Sequence, residues 1–381
     1  MSDTSAKFFH SDMAGLAAMP VAAGSLLTVL RAVLVNGFNA GTVDSISVSA
    51  GVATMMISAG MTYEADSVVL LGGCANAALN GEKRLITTGT YAATFDATGV
   101  PNGTYTGSPI SIKVAPAGWA ELFSGTNIAV FQSLNPKSTK CCLRVDDTSP
   151  TVALVVGYET MADANTGAGQ TPLESQFAGG GKWHKVAEAN TQARKWVVFA
   201  DSRTVYLAIQ TSATYVSFIT WGFGDLRSAV PGDSFAWFIS YCAYGAGTAG
   251  WGSSSLIEAN GVGRFAPRNG VGAGTSTALT FRVPYDNTSP TSQSFGQGNA
   301  LFVYPSEKGN GISAAPVIAA NTSVLGELPG LLAPVCKCGS VGMLARKRIG
   351  GRQYIALPIM SRNGGDAVGS LFFDATGPWN D

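Results

Sequence analysis

The stretch SISVSAGVATMMISAG, Ser45 to Gly60, decides the fold class. Two runs, Ser45 to Val48 and Val52 to Ser58, alternate apolar and small polar residues, and Ala50-Gly51 and Ala59-Gly60 close them. Alternation with a period of two, broken by glycine-bearing pairs, is the signature of a β-hairpin. The pattern continues in Ser67 to Leu71, Arg84 to Thr88, Ala92 to Asp96 and Ser111 to Val114, with turns at Gly72-Gly73, Asn80-Gly81 and Asn102-Gly103. Strands this short and this evenly spaced predict a small β-barrel or sandwich module over residues 41–118, with Pro109 and Pro116 marking its exit near Trp119.

Toward the N-terminus the pattern changes. Residues 1–20 read as an extended arm whose large apolar groups are Phe8 and Phe9. The run SLLTVLRAVLVNGF then predicts one helix, with Ser25 as its cap, Leu26, Leu30, Val33 and Leu34 at helical spacing, and Asn36-Gly37 as its end. Arm and helix form a first segment, 1–40. The helix reads first as an ordinary core helix, with packing against another subunit as the alternative; on that alternative, and because an arm of this kind docks on a neighbour, Phe8, Phe9, Leu26 and Leu30 are the candidate assembly contacts.

Toward the C-terminus, residues 119–381 predict a larger antiparallel β-sandwich domain. Its expected strands are Ile128 to Ser133, Lys140 to Val145, Thr151 to Tyr158, Lys195 to Ala200, Thr204 to Ile209 and Ser234 to Cys242. Met161 to Gly181, Tyr244 to Gly274 and Ser289 to Gly298 read as long polar or glycine-rich loops, and Ala187 to Thr191 as a helical turn. Long loops on a rigid scaffold carry contacts with partners or ligands. Trp183 and Trp251 are therefore candidate ligand-loop aromatics, with Trp221 a further one, although aromatics also fill β cores. The chain is read as mainly β: an arm and single helix, a small module and a larger domain.

Composition narrows the function. The 24 basic and 24 acidic residues cancel, so the electrostatic footprint of a nucleic-acid binder is absent. The charged fraction, 13%, is half the usual ~25%, which leaves a surface that costs little to dehydrate against a neighbouring copy. Val21 to Val35, the longest apolar stretch, contains Ser25, Thr28 and Arg31 and falls short of the ~20 residues of a membrane span. The opening MSDTSAKFFHSDMAG has no basic start followed by an apolar run, so no export signal is expected. Cys74, Cys141, Cys142, Cys242, Cys336 and Cys338 lack paired CxxC spacing and read as buried reduced thiols, with no metal or other cofactor expected.

Catalytic equipment is sparse. Only two histidines are present, His10 in the arm and His184 in GGKWHK, and neither sits in a nucleophile frame. Asp146, Asp147, Glu159, Asp201, Asp225 and Asp233 lie at expected strand ends and turns, where a carboxylate caps backbone amides; a calcium or other hard-cation site and a glycosidase pair among them are the weaker alternatives. The basic run ARKRIGGR, Ala345 to Arg352, reads as a solvated hairpin, with a salt-bridge patch between subunits and, behind that, a nucleic-acid contact as the alternatives. No catalytic residue is predicted.

Several stretches resemble a family of phage and prophage virion proteins found among tail genes. They are FFHSDMAG with AAGSLLTVLRAVLVNGF, GWAELFSGTNIAVFQS, LRVDDTSP with GYETM, KWVVFADSRTVYLAI, FGDLRSAVPGD and LFFDATGPWND. The block from Val43 to Val114 is similar to small β modules of tail and fibre proteins, departing from them at Gly60-Met61, where they carry glycine-histidine. The resemblance implies a non-enzymatic virion component of the tail tip, baseplate or collar, made in the bacterial host cytoplasm. It implies partners too: copies of the chain in a symmetric ring or trimer, other tail proteins and, in a carbohydrate-binding alternative, a host surface glycan. A polysaccharide hydrolase is the third reading.

Overall fold

The computed structural model describes residues 2–186, 191–210, 218–241, 263–269, 272–281, 312–319, 324–334, 344–349, 351–360 and 367–380. Trp251, Cys242, Cys336, Cys338, Ser289 to Gly298, and most of the expected turn at Ala187 to Thr191 and of the loop from Tyr244 to Gly274 lie outside them. The chain is mainly β, built from antiparallel sheets around one short helical segment.

Between Phe38 and Val114, eight strands form one sheet. The opening hairpin pairs Ser45–Ser49 with Val52–Met56 in the register Val48↔Ala53 and Ser49↔Val52. Ala50 and Gly51 both take positive φ, 49° and 77°, the backbone of a tight two-residue hairpin turn. Ile46, Val48, Ala53, Met55, Ala93 and Phe95 turn inward and are buried, while Val52 and Met56 stay exposed on the outer side. The Phe38–Val43 and Gly103–Tyr105 strands carry little apolar alternation and complete the sheet beyond the expected elements.

The helix starts where expected but is capped differently. Ser25 to Leu30 is α-helical and widens into a π-helical turn, Arg31–Asn36, before Gly37 at φ 71° ends it. Gly24, not Ser25, is the capping position and supplies no side-chain bond; the Ser25 hydroxyl donates instead to the Ala22 carbonyl. The cap comes from 120 residues away: Asp147 accepts from the amides of Leu26 (2.7 Å) and Leu27 (3.2 Å).

The region after Trp119 contains two larger sheets. Trp119–Gly125, Ile128–Ser133, Cys142–Asp146, Val152–Tyr158 and Gly181–His184 form one of five strands. One face joins the main core; the other carries a separate cluster of Val130, Cys142, Val156 and Tyr158. Cys141 and Cys142 therefore bury their thiols in different clusters, as the period of a strand requires.

The other sheet has thirteen strands among the described residues, and Lys7–His10 lies at one end of it. Here the arm reading is corrected. Lys7–His10 pairs antiparallel with Trp196–Ala200, Phe8 opposite Phe199 and Phe9 opposite Val198. The sheet ends at the hairpin of Arg352–Met360 and Ala345–Ile349. It curls on itself: Phe199, one strand in from the first end, stacks on Phe373, near the other, at 4.1 Å between ring centroids. Tyr206 packs on Phe373 and Trp379 in the same interior.

Candidate functional site

The proposed assembly residues serve the chain itself. Phe8 and Phe9 are buried against its own sheet, and Leu26 and Leu30 have no exposed surface. Four apolar side chains already removed from water have nothing left to give a neighbour. Trp183 is corrected in the same way. It lies in a strand, fully buried, stacked near Trp221 at 6.3 Å and donating its indole N–H to the Ser240 carbonyl (2.8 Å). Trp221 is buried too, so neither indole offers a face to a sugar.

The carboxylates act as ties. Asp147 pairs with Lys185, neither side chain having exposed surface, and the ammonium also donates to the Ala22 carbonyl (2.8 Å). Burial pushes the Asp147 carboxyl up and the Lys185 ammonium down, each opposed by the other's charge. Asp225 accepts from the amide and hydroxyl of Thr139 and from Arg203, stapling the Ser138–Lys140 turn to the curled sheet. Asp201 accepts from the amides of Arg203 and Thr204 at 2.7 and 2.6 Å, and burial pushes its carboxyl up to about 6. Glu159 takes a two-pronged bond from Arg268 (2.8 and 2.9 Å), and Asp233 accepts from the Phe235 amide. Asp146 accepts from the Thr148 amide and faces Arg144 at 3.7 Å. His184 is buried in the end strand of the five-stranded sheet, and burial pushes its imidazole down to about 4.

Arg84 joins both ends of the chain to the small module. Its guanidinium donates to the carbonyls of Asp3 (2.8 Å), Ala6 (2.7 Å), Asp66 (2.9 Å) and Thr376 (3.4 Å). Five donors on one planar group suit this many acceptors.

One cleft, of about 410 Å³, gathers polar side chains from three separate regions. Phe8 and His10 line it from the first strand of the curled sheet, Leu344, Arg346 and Ile355 from its last hairpin, and Glu64 from the small module. Among the described residues the two end strands of the sheet do not pair there, and residues 64–66 meet both of them. His10 Nε2 lies 3.0 Å from a Glu64 carboxylate oxygen, while Arg346 meets the Ala65 carbonyl (3.0 Å) and the Asp66 carboxylate (3.3 Å). The histidine bond holds the Glu64 carboxyl below its usual range. His10 Nδ1 is buried without a hydrogen-bond partner among the described residues.

Sequence reading missed this cleft because its parts are remote; His10 and Glu64 alone are 54 residues apart. Among the described residues no group of three or more histidine, cysteine or acidic side chains has the geometry of a metal site. The described thiols, Cys74, Cys141 and Cys142, are buried, and burial raises Cys141 and Cys142 above the ordinary range. Among the described residues no helix is long and apolar enough to cross a membrane. No protein-family model matches the chain, and no curated protein matches it.

Proposed function

We propose that this protein is a non-enzymatic structural component of a phage tail, in the tip, baseplate or collar, assembling with copies of itself and with neighbouring tail proteins. The observation that carries the reading is the use made of its charged groups. Asp147–Lys185, Asp225–Arg203, Glu159–Arg268 and the Arg84 cluster tie distant segments together. A body stitched in this way suits a part that transmits load.

The contact surface suggested by the structure replaces the arm and helix. Val52 and Met56 on one strand, Ile86 on another and Tyr91 just before the strand between them are 41–53% exposed on the small module, among serines and threonines, with Asp96 opposite Val52. Apolar groups gathered on a weakly charged sheet face favour burial against another protein.

The test is the light-scattering mass of the full-length protein beside that of a Met56→Glu, Ile86→Glu variant. Oligomers of defined size that the variant loses, while keeping its thermal transition, support the reading. A native protein that stays monomeric and binds no other tail component refutes it.

A further inference from the structure

The buried Asp147–Lys185 pair carries an inference beyond its role as a tie. Asp147 follows the Cys142–Asp146 strand and Lys185 follows Gly181–His184, two strands that flank Val152–Tyr158 in the five-stranded sheet. The Asp147 amide donates to the Asn127 carbonyl and the Lys185 amide to the Thr151 carbonyl, both at 2.8 Å, so the backbone at both ends of the pair is fixed. Nζ lies 2.5 Å from Oδ1, and neither side chain has exposed surface. Because a carbon–oxygen bond is about 1.2 Å long, Nζ is at most about 3.7 Å from the carboxyl carbon, beside the ~3–3.5 Å from which a bond forms.

The remaining partners assign the protons. Nζ donates to Asp147 Oδ1, to the Ala22 carbonyl (2.8 Å) and to Ser25 Oγ (3.3 Å). When the first proton crosses to Oδ1, the other two N–H groups stay on Ala22 and Ser25, and the nitrogen lone pair faces the carboxyl. Burial favours that transfer, because it pushes the Asp147 carboxyl up and the Lys185 ammonium down. The other carboxyl oxygen, Oδ2, accepts from the amides of Leu26 (2.7 Å) and Leu27 (3.2 Å). Two backbone N–H groups on one oxygen stabilise the negative charge that develops there when a nucleophile adds to the carbon.

We propose that Asp147 and Lys185 form a modification site at which the folded chain cross-links itself through an amide between Nζ and the Asp147 carboxyl carbon. The amine adds to that carbon and the bond from carbon to Oδ1 breaks. Oδ1 leaves as water, carrying two of the three ammonium protons. Oδ2 becomes the amide oxygen, still held by Leu26 and Leu27, and one N–H remains for the Ala22 carbonyl. No oxidant or reductant enters, and two buried charges become one neutral group. The ion pair is the reactant, so it persists in every molecule that has not reacted. The step does not depend on assembly.

The test is peptide mapping by mass spectrometry of the full-length protein, freshly purified and after a week of incubation in the folded state. Trypsin cuts the denatured, unlinked chain after Arg144, Lys182, Lys185 and Arg194, and an amide on Lys185 blocks the cut there. A branched product joining residues 145–182 to 183–194, lighter than the two parts together by one water, is expected and should grow with time. Lys185→Arg, which keeps the charge, is expected to give no branched product and to keep its full mass. Absence of the branch after a week, in native protein that remains folded, overturns the proposal. So does a lost water confined to residues 145–182 alone, since a single aspartate has then dehydrated, or a branch that survives Lys185→Arg. The native digest decides even where the variant fails to fold, and because the chain is denatured before digestion it reads the cross-link whatever the oligomeric state.

Discussion

Replacing Lys185 with methionine tests how much of the fold hangs on one buried pair. The Lys185 ammonium is fully buried and donates to Asp147, to the Ala22 carbonyl (2.8 Å) and to Ser25 Oγ (3.3 Å). Methionine fills most of the same space but leaves the Asp147 carboxylate in the interior with only the Leu26 and Leu27 amides as partners. Removing one member of a buried pair costs about 3–5 kcal/mol, against a total stability of roughly 5–15 kcal/mol. With a urea dependence of about 3 kcal/mol per molar, the unfolding midpoint should fall by about 1 M. The penalty should also depend on pH. Burial already raises the Asp147 carboxyl, and without Lys185 it rises further. A folded-state value above the unfolded one gives stability that is present in acid and lost as pH rises, so the Lys185→Met deficit should shrink toward low pH. Asp147→Asn, Lys185→Met together should recover most of the loss, because an amide can still accept from the helix amides and no charge remains buried. Urea titrations of the native protein, both single variants and the double variant complete the cycle. Single-variant losses below about 0.5 kcal/mol, or a double variant as unstable as the sum of the singles, would refute the assignment of this pair as the clamp between helix and sheets.

Three further outcomes are expected. Asp201→Asn keeps an oxygen for the Arg203 and Thr204 amides, and once the Asn380 amide, which in the native protein donates its N–H to the Asp201 carboxylate (3.0 Å), turns over, the new N–H₂ can donate to Asn380 Oδ1. The native carboxyl, raised to about 6 by burial, contributes stability below its unfolded value of 3.8 that is lost as pH rises through 6. The variant should therefore gain about 2 kcal/mol relative to the native protein between pH 4 and pH 6.5 in urea titrations, and a pH-independent difference would contradict this. Gly157→Ala would place a Cβ 2.5 Å from the Trp237 ring, where the five-stranded sheet packs on the curled one, so a loss of about 1–3 kcal/mol should appear in thermal unfolding. Arg84→Met removes the bonds to the Asp3 and Ala6 carbonyls, so hydrogen exchange should quicken at residues 7–10 while the Ser45–Ser49 hairpin keeps its protection; equal effects at both would argue against Arg84 as the local tie.

Sequence pattern was most readable where one strand face is solvated. Ser45–Ser49 and Ala92–Asp96 alternate buried with less buried residues, and both strands were located from that alternation. Ile219–Asp225 escaped notice because all seven residues are buried and Gly222 and Gly224 interrupt the apolar run, leaving no period to detect. The arm failed for a different reason: Lys7–His10 spans four residues, and its partner strand lies almost two hundred residues later. Nothing local distinguishes such a strand from a free extension. Aspartates at expected turns were read correctly as acceptors for backbone amides, yet the helix cap by Asp147 was hidden because a long-range partner displaced the local candidate, Ser25. The cleft is the extreme case, assembled only when the ends of a curled sheet come together over the 64–66 loop.

The central claim, that this chain works by fitting against other protein copies, is tested most directly by the native mass of the purified full-length protein in solution. The account predicts one closed oligomer whose mass is a fixed multiple of 39.2 kDa and holds steady on dilution. A single species of 39.2 kDa at every concentration would contradict it.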